Sequence, residues 1–339
     1  MVQMIEYLEK LLDGKDLSSK EAEQLQDAIF DGQIPPAQVA AFLTAMRIKG
    51  ETVEEIAGLA SSLRQHAVRV ETGIDNLVDT CGTGGAAIKT FNISTASAFV
   101  VAGAGGYVAK HGNRAITSNC GSADVLATLG VELSPGPDVV AECIRTAGVG
   151  FMFAPNFHPA MKYVQPVRKE LGFRTVFNIL GPLANPAFAQ NQVMGVGDPK
   201  LMETVVKVLK LLGTKRAMVV HSDGLDEIST MSPTKMLFLS ADGSIEEETI
   251  NCEDFGIAKA SIDDLKSGDA VENAETIKAI LNGTETGAKK DIVVLNAAAA
   301  IMVASLADSF GDAIALANES IESGKAKTAL DKMIEISNG

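Results

Sequence analysis

The sequence predicts an α/β protein in which a small N-terminal α-helical domain precedes a large domain built on a mostly parallel central sheet. The first 70 residues carry signals that begin and end helices but no strand-like run. After them, short runs rich in Val, Ile and Phe alternate with helical stretches, which is typical of a parallel sheet covered on both faces. A length of 339 residues gives room for two domains. We therefore expect a helical domain over residues 1–70, completed by helices around residues 158–185, and an α/β domain over residues 71–339.

The helices of the first domain are predicted from their ends. Ser or Thr followed three residues later by Glu forms a capping box, proline favours the first turn, and glycine ends a helix. In chain order, the signals are a capping box at Ser18 and Glu21, a stop at Gly32, a start at Pro35 and Pro36, a stop at Gly50, and a capping box at Thr52 and Glu55 that opens a helix through about His66. Apolar residues recur at helical spacing, so each helix has one face to bury. The rest of the chain, another subunit, or both must cover these faces.

The second domain is predicted from alternating strand and helix signals. Strands are expected at residues 76–80, 107–110, 149–153, 193–196 and 217–221, with helices between them at 139–146 and 201–212. Two further segments, at 236–240 and 244–250, flank the turn signal Ala241-Asp242-Gly243 and predict a hairpin. The C-terminal part returns to helix, with an Ala-rich segment near residues 296–304.

Composition narrows the class of protein. Lys and Arg total 29 against 43 for Asp and Glu, a net charge of −14, which argues against a nucleic-acid-binding protein because such proteins neutralise phosphates with a basic surface. None of the four cysteines forms a Cys-x-x-Cys pair, which argues against zinc. The N-terminus lacks the pattern of a signal peptide, and the longest apolar stretches are too short or too interrupted to span a membrane. We expect a cytoplasmic protein with no membrane partner.

The distribution of acidic residues points to an anionic ligand. Between Asp79 and Asp124 the sequence contains no Asp and no Glu, although both are abundant elsewhere. The same stretch holds Lys89, Lys110 and His111 and is rich in Gly, Ser, Thr and Asn. Few carboxylates, several cations and many hydrogen-bond donors suit a polyanion such as a phosphate group.

A glycine loop follows the first predicted strand. The loop Cys81 to Gly85 precedes Asn92-Ile93-Ser94-Thr95, which opens an apolar helix, so backbone amides and a helix N-terminus are available to phosphate. Gly82-x-Gly84-x-x-Ala87 also fits a relaxed dinucleotide fingerprint, but the helix does not follow at once and no acidic residue lies about twenty positions on. No Gly-Lys-Ser/Thr follows, which excludes a Walker loop. An ordinary strand-to-helix turn is the remaining alternative.

Two later segments add cations and carboxylates. Lys110 to Ala115 follows a predicted strand, where Lys110 could act as a point charge on phosphate and Asn113 could both donate and accept hydrogen bonds. The alternative is a solvated basic loop. The segment 221–227 ends in Asp226-Glu227, and adjacent carboxylates after a strand can hold Mg2+ while leaving positions for substrate phosphate. A helix-capping acidic turn is the alternative for that pair.

Taken together and in this order, these segments resemble the anthranilate phosphoribosyltransferase family over nearly the whole chain. The resemblance implies a nucleoside-phosphorylase-like fold, a homodimer joined through the helical domains, and a glycosyltransferase of tryptophan biosynthesis that uses phosphoribosyl pyrophosphate, anthranilate and one or two Mg2+ ions. The matching motifs are Gly82-Thr83-Gly84-Gly85 with Asn92-Ile93-Ser94-Thr95, Lys110-His111-Gly112-Asn113-Arg114, Phe153 to Lys162, Arg168 with Asn178 to Leu183, and Asp223 to Glu227.

The resemblance also implies residue roles. Lys110, Asp226 and Glu227 would stabilise the transition state, and no side chain is assigned as a nucleophile. Metal binding maps to Ser94, Asp226 and Glu227. Anthranilate binding maps to Gly82, Asn113 and Arg168, with His111, Pro155, His158 and Gly181 lining the site. Phosphoribosyl pyrophosphate binding maps to Gly82, Gly85, Ala86, Thr90, Asn92, Ile93, Ser94, Thr95, Lys110, His111, Gly112, Asn113, Arg114, Ser118 and Ser122.

One position departs from the family pattern. Family members usually have Asp-Gly after the double glycine of the first loop, and this chain has Ala86-Ala87. The missing acid would help to position a magnesium-bound diphosphate, so one metal contact is expected to be absent. Two other functions remain open from the residues: a nucleoside phosphorylase on the same architecture, and a non-catalytic nucleic-acid-binding relative, against which the acidic net charge and the retained Asp226-Glu227 pair both speak.

Overall fold

The computed structural model describes residues 4–115 and 120–339. Its N-terminal domain consists of helices α1 (Met4–Leu12), α2 (Ser19–Phe30), α3 (Pro36–Lys49) and α4 (Val53–Gln65). Both predicted capping boxes are confirmed: Ser18 and Glu21 cap α2, and Thr52 and Glu55 cap α4, each with the reciprocal backbone hydrogen bonds of the motif.

The large domain is built on a seven-stranded sheet whose strand order is β3-β2-β1-β4-β5-β6-β7. The first five strands run parallel, and β6 and β7 complete the sheet as the predicted antiparallel hairpin. The predicted fold class, a helical domain followed by a mostly parallel α/β domain, is confirmed. The strands are β1 (Leu77–Gly82), β2 (Tyr107–Gly112), β3 (Val149–Phe153), β4 (Asn191–Gly195), β5 (Arg216–His221), β6 (Thr234–Leu239) and β7 (Ile245–Ile250).

Helices cover both faces of the sheet. Short 3-10 turns at Pro159–Tyr163, Pro199–Leu201, Cys252–Phe255 and Asp263–Leu265 join some of them. Among the described residues, no helix combines the length and apolar character needed to cross a membrane. The helices are α5 (Ile93–Gly103), α6 (Ser122–Leu129), α7 (Pro137–Ala147), α8 (Ala154–Phe157), α9 (Gln165–Leu171), α10 (Phe177–Leu183), α11 (Met202–Leu211), α12 (Ala270–Leu281), α13 (Ala288–Val303), α14 (Phe310–Glu322) and α15 (Lys325–Asn338).

The first strand extends beyond its predicted end at residue 80. Cys81 pairs with Met194 and Gly82 pairs with Gly195, so the ladder between β1 and β4 continues into the glycine-rich motif. Glycine weakens a strand but tolerates the close approach of a neighbouring backbone. The glycine loop therefore begins after Gly82 and is anchored by the sheet itself.

The chain covers the apolar faces of the N-terminal helices with its own later segments. Val164, Val167 and Phe177, from α9 and α10 and the residue before α9, share one buried cluster with Phe42 and Leu59 of α3 and α4. These later helices pack against the first four. The completion of the helical domain by residues around 158–185 stays a prediction.

The strand order reverses between β1 and β4. The chain builds outward from β1 to β2 and β3, then returns to add β4 and β5 on the other side of β1. In open parallel sheets, the crevice at the carboxyl ends of such neighbouring strands is the usual position of a ligand. The glycine loop leaves β1 at this crevice.

Glu55 joins three segments of the helical domain. Its side chain is fully buried, and its Oε1 accepts a hydrogen bond from the Leu17 amide at 2.9 Å. Its Oε2 accepts from Lys49 Nζ at 3.0 Å and from the Thr52 amide at 2.8 Å. A buried carboxylate with these partners links the start of α2, the end of α3 and the start of α4.

We expect Glu55→Gln to destabilise the protein by about 1–3 kcal/mol, because the amide nitrogen of Gln cannot accept the hydrogen bonds that Lys49 and the Thr52 amide donate. Lys49 keeps its second ion pair, with the exposed Asp16. The matched control is Glu54→Gln, since Glu54 is exposed on the first turn of the same helix. Urea unfolding of the two variants measures the difference, and equal stabilities would show that Glu55 contributes no more than an exposed helix residue.

Candidate active site

The sequence-predicted segments meet at the carboxyl ends of β1, β2 and β5. The glycine loop follows β1, the Lys110 segment closes β2, and the acidic segment follows β5. Because β1 and β2 are adjacent and β5 lies one strand beyond β4, these three connections line the crevice at the reversal of strand order. The arrangement brings an amide-rich loop, a buried lysine and two carboxylates into one region.

The glycine loop lies directly on the acidic segment. The Gly84 amide donates to Asp226 Oδ2 at 3.2 Å, and the Ile88 amide donates to the Gly224 carbonyl at 3.1 Å. A Cβ placed on Gly82 would lie 2.7 Å from Asp226 Oδ2, closer than a real side chain allows. Glycine at position 82 leaves this space to the Asp226 carboxylate, which a Cβ there would displace.

Lys110 is buried between β1 and the start of α5. Its Nζ donates to the Thr80 carbonyl at 2.5 Å and to Ser94 Oγ at 3.2 Å. Burial lowers the pKa of Lys110, while Asp79 acts in the opposite direction. Lys110 therefore places a cation beneath Ser94 rather than on an exposed loop.

Asp79 is the buried carboxylate of this region. Asn185 Nδ2 donates to Asp79 Oδ2 at 2.8 Å, and the same amide group donates to the Ala109 carbonyl at 2.7 Å. Burial raises the pKa of Asp79 to about 6, opposed by the Asn185 hydrogen bond and by the charge of Lys110. Asn185 thus ties β1 to β2 behind the site, next to Lys110.

Asp226 and Glu227 form the other charged part of the site. Burial raises the pKa of Asp226. The pKa of Glu227 rises to about 8, mainly through burial and then through Asp226, whereas Lys110 and the Ser94 amide lower it. Two adjacent, half-buried carboxylates that repel each other are stabilised when a cation binds between them.

The donor set fits Mg2+. Among residues 4–115 and 120–339, no group of three or more His, Cys, Asp or Glu side chains could enclose a metal. Mg2+ instead takes one or two carboxylates and completes its shell with water and substrate phosphate oxygens. Asp226, Glu227 and the Ser94 hydroxyl supply oxygen ligands of this kind beside the glycine loop.

Glycine and asparagine outside the predicted motifs position the acidic segment. A Cβ on Gly195 would lie 1.7 Å from the Asp226 carbonyl oxygen, so only glycine allows this approach. Asn296 of α13 pairs with both backbone groups of Ile228, accepting from its amide at 2.9 Å and donating to its carbonyl at 2.8 Å. Neither residue was identified from the sequence, since the only local signal is a glycine at a strand end and an asparagine in an apolar helix.

In the segment after β2, Arg114 and its neighbours contact the carboxylate of Asp124. Arg114 Nη1 donates to Asp124 Oδ1 at 2.8 Å, and the other oxygen of Asp124 accepts from the Ala115 amide at 2.9 Å and the Gly121 amide at 3.0 Å. Ser122 Oγ donates to the Asn113 carbonyl at 3.4 Å. The acid-free stretch of sequence is therefore not free of carboxylate in space, because Asp124 folds back over it. Ser118 lies outside the described residues.

The start of α5 and the loop before it hold further predicted residues. Asn92 Nδ2 donates to the Cys120 carbonyl and Asn92 Oδ1 accepts from Asn273, both at 3.2 Å. Thr90 forms an isolated bridge with Lys266. Ile93 and Thr95 are buried in the first turn of α5, and Ala86 is also buried, between exposed Gly85 and Ala87. The predicted helix start at Asn92 is confirmed.

A pair of histidines lies at the ends of β2 and α8. The rings of His111 and His158 contact edge to face, with centroids 4.9 Å apart, and both side chains are buried. His111 Nε2 and both ring nitrogens of His158 lack hydrogen-bond partners in the described structure. Burial lowers the pKa of His111 to about 3 and that of His158 to about 4. Both imidazoles are therefore neutral at pH 7.

Arg168 lies on α9, on the helical side of the crevice. Its guanidinium stacks 5.5 Å from the centroid of Phe177 and donates to Gln165 Oε1 at 3.3 Å. Burial lowers its pKa. Pro155 lies in α8 and Gly181 in α10, so the predicted anthranilate residues come from the segments that pack on the helical domain.

The histidine pair should make stability depend on pH. Because the folded-state pKa of each imidazole is lowered, its contribution is full above about pH 6.5 and is lost as pH falls toward 4. From about pH 7.5 to pH 5 this loss amounts to about 2 kcal/mol for each imidazole. We expect His158→Asn to remove its share from the difference in urea unfolding free energy between these two pH values. An unchanged pH dependence in the variant would contradict the buried, neutral state of His158.

Comparison with known proteins places the chain in a family. Residues 5–67 match the model described as "Glycosyl transferase family, helical bundle domain", and residues 74–327 match "Glycosyl transferase family, a/b domain". Curated anthranilate phosphoribosyltransferases from Herpetosiphon aurantiacus and Acetivibrio thermocellus are 50% and 51% identical to the chain. The first alignment covers 96% of both proteins, and the second covers 98% of this chain and 96% of the relative.

Solved structures give the same assignment. The anthranilate phosphoribosyltransferase of Thermus thermophilus superimposes with a TM-score of 0.92 at 38% identity, over 98% of this chain and 99% of that one. The Saccharomyces cerevisiae enzyme, solved in complex with phosphoribosyl pyrophosphate and Mg, gives a TM-score of 0.89 at 28% identity. The alignment covers 99% of this chain and 98% of that one. The resemblance seen in the sequence is confirmed, and the chain belongs to the anthranilate phosphoribosyltransferase family.

Proposed function

We propose that this chain transfers the phosphoribosyl group of phosphoribosyl pyrophosphate (PRPP) to the amine of anthranilate, releasing pyrophosphate, as a step of tryptophan biosynthesis. The observation that carries the proposal is the meeting of the glycine loop, Lys110 and the Asp226-Glu227 pair at the reversal of strand order. Full-length identity of about 50% with curated enzymes of this activity supports the choice of both substrates.

Mg2+ is the metal of the proposal, with one or two ions. Ser94, Asp226 and Glu227 would hold it, since all three offer oxygen and lie beside the glycine loop. When bound, Mg2+ neutralises negative charge on the diphosphate as it departs. The related Saccharomyces cerevisiae enzyme, solved in complex with PRPP and Mg, supports the same pairing of metal and substrate.

The glycine loop and the start of α5 would bind the diphosphate and the ribose phosphate. Backbone amides after β1 and at a helix N-terminus favour anions through their donors and the helix dipole. The side chain of Lys110 adds a cation beneath Ser94 at 3.2 Å. The residues assigned to PRPP are Gly82, Gly85, Ala86, Thr90, Asn92, Ile93, Ser94, Thr95, Lys110, His111, Gly112, Asn113, Arg114, Ser118 and Ser122.

Anthranilate would lie on the side of the helical domain. Arg168 can bind its carboxylate with two parallel hydrogen bonds, and the stacked Phe177 ring holds the guanidinium plane. The neutral His111 and His158 offer ring faces and uncharged nitrogens to an aromatic amine. Gly82 and Asn113 face the same crevice from the ends of β1 and β2, and Pro155 and Gly181 complete the assigned lining.

The reaction needs no nucleophilic side chain. The bond between ribose C1 and the pyrophosphate oxygen breaks with its electron pair leaving on pyrophosphate, and the amine lone pair forms the new C1–N bond. The nitrogen then gives up one proton, to the departing pyrophosphate or to water. Charge accumulates on the departing oxygens, so amides, Lys110 and the metal site stabilise the transition state by fixed electrostatics. Alignment of the bound amine with ribose C1 supplies the rest of the rate acceleration.

A homodimer joined through the helical domains is part of the proposal. Ile5, Leu12 and Ile48 expose 63%, 76% and 81% of their surface on α1 and α3, and we propose that a second copy of the chain covers them. A cytoplasmic location is also proposed, and the free thiols of Cys81, Cys143 and Cys252 are consistent with it.

The substrate assignment is tested on Arg168. The wild-type protein should release pyrophosphate from PRPP with anthranilate but should not cleave a nucleoside with inorganic phosphate, the reaction of a nucleoside phosphorylase. Arg168→Ala should raise KM for anthranilate by about 10- to 150-fold, the loss expected for a hydrogen bond between charged groups, and leave KM for PRPP nearly unchanged. Lys169→Ala is the matched control, because Lys169 is the exposed next residue on α9. Equal losses for both substrates would place Arg168 elsewhere.

The metal assignment is tested on Glu227. We expect Glu227→Gln to require at least about tenfold more Mg2+ for half-maximal rate, since even loss of an outer-shell partner weakens metal affinity by 10- to 100-fold. Thermal unfolding should change little in comparison, because the substitution preserves shape and removes a buried charge. Asp223→Asn is the control, as Asp223 is an exposed acid of the same loop. Normal turnover of Glu227→Gln at limiting Mg2+ would remove Glu227 from the metal site.

A further inference from the structure

An arginine that no motif identified lies against the glycine loop. Arg174 belongs to the connection between α9 and α10, and its guanidinium covers Gly85. A Cβ on Gly85 would lie 2.3 Å from Arg174 Nη1 and 3.0 Å from its Cζ. Gly85 also has a φ of +76°, which side-chain-bearing residues rarely adopt. With glycine at position 85, the exposed Arg174 side chain packs its guanidinium directly on the backbone of the loop.

The backbone of Arg174 is held, but its charge is unpaired. The Arg174 carbonyl accepts a hydrogen bond from Arg47, whose guanidinium also stacks 5.3 Å from the Phe173 ring. Among residues 4–115 and 120–339, the Arg174 guanidinium has no ion pair, side-chain hydrogen bond or aromatic ring contact. By contrast, Arg114 is paired with Asp124, and Arg168 contacts Gln165 and the Phe177 ring.

The surroundings of Arg174 favour an anion. Residues 80–123, which include the whole glycine loop, contain no Asp and no Glu, so the loop itself offers the guanidinium no carboxylate. In the described part of the chain, Asp226 is the only carboxylate bonded to the loop, and it accepts from the Gly84 amide. A planar guanidinium that lies beside amide donors can share the oxygens of one diphosphate with them, and its fork matches two phosphate oxygens.

We infer that Arg174 binds the diphosphate of PRPP directly, beside the amides of the glycine loop that its guanidinium contacts. The inference deepens the proposed function and rests on it. Because the diphosphate becomes the leaving group, Arg174 would contact it both in the bound substrate and in free pyrophosphate. Two arginines on this side of the crevice would then bind different groups. Arg168 would bind the carboxylate of anthranilate, and Arg174 would bind the diphosphate.

The test measures binding of inorganic pyrophosphate, which needs no turnover. Isothermal titration calorimetry in saturating Mg2+ compares the wild type with Arg174→Gln and Arg174→Lys, and steady-state rates give KM for PRPP and for anthranilate. Arg145→Gln is the charge-matched control, since Arg145 is an exposed arginine that pairs with Glu142 on α7. We expect Arg174→Gln to weaken pyrophosphate binding and to raise KM for PRPP by about 10- to 100-fold, with KM for anthranilate unchanged. Arg174→Lys keeps the charge but loses the two-point fork. Its pyrophosphate affinity should therefore lie between those of the wild type and Arg174→Gln.

Two results would overturn the inference. One is pyrophosphate affinity in Arg174→Gln equal to that of Arg145→Gln, which would reduce Arg174 to a general surface charge. The other is a rise in KM for anthranilate with unchanged pyrophosphate affinity, which would place Arg174 with Arg168. Failure of the proposed function is distinguishable from both: wild-type protein that binds pyrophosphate but forms no phosphoribosylanthranilate would refute the reaction, while the titrations would still decide the role of Arg174.

Discussion

The close approach of the Asp226 backbone to Gly195 is the constraint on which the site depends. No residue with a Cβ can stand at the end of β4, because that atom would lie 1.7 Å from the Asp226 carbonyl oxygen. The approach lets the acidic segment after β5 cross the neighbouring strand and reach the glycine loop after β1. Asn296 then holds Ile228, two residues further along the chain, by hydrogen bonds to its backbone amide and its carbonyl. The position of the carboxylates is therefore set by packing and backbone hydrogen bonds rather than by the carboxylates themselves.

Burial gives the charged groups of the site their character. The chain as a whole carries a net charge of −14, yet its site gathers cations and carboxylates in a region with little access to water. Burial there acts on both signs: it raises the pKa of Asp79, Asp226 and Glu227 and lowers that of Lys110. Each group moves toward its neutral form and is held near charge balance by its neighbours. A bound cation and a bound polyanion can change this balance strongly because so little solvent screens it.

Local signals predicted much of the fold. The capping boxes at Ser18 and Thr52 and the hairpin turn at Gly243 depend on a few adjacent residues, so sequence alone was sufficient for them. The glycine loop was predicted for the same reason, although its strand continues to Gly82 because pairing with β4 is a long-range contact. Contacts between distant segments could not be predicted. Asp124 ends the acid-free stretch in sequence but folds back onto it, and Arg174 lies 89 positions from the glycine that it covers.

One donor and one acceptor of the site satisfy each other in the described structure. The Gly84 amide, assigned to the anion-binding loop, donates to Asp226, which is assigned to the metal. In the proposed function, a metal on Asp226 would replace this hydrogen bond and release the amide for phosphate, while a diphosphate on the loop would release the carboxylate for the metal. Whichever ligand binds first would break this hydrogen bond, so the second would not have to break it. By thermodynamic linkage, such a shared contact couples the two affinities in both directions and by the same factor. The hydrogen bond from the Gly84 amide to Asp226 is thus a physical reason for metal and diphosphate to bind together.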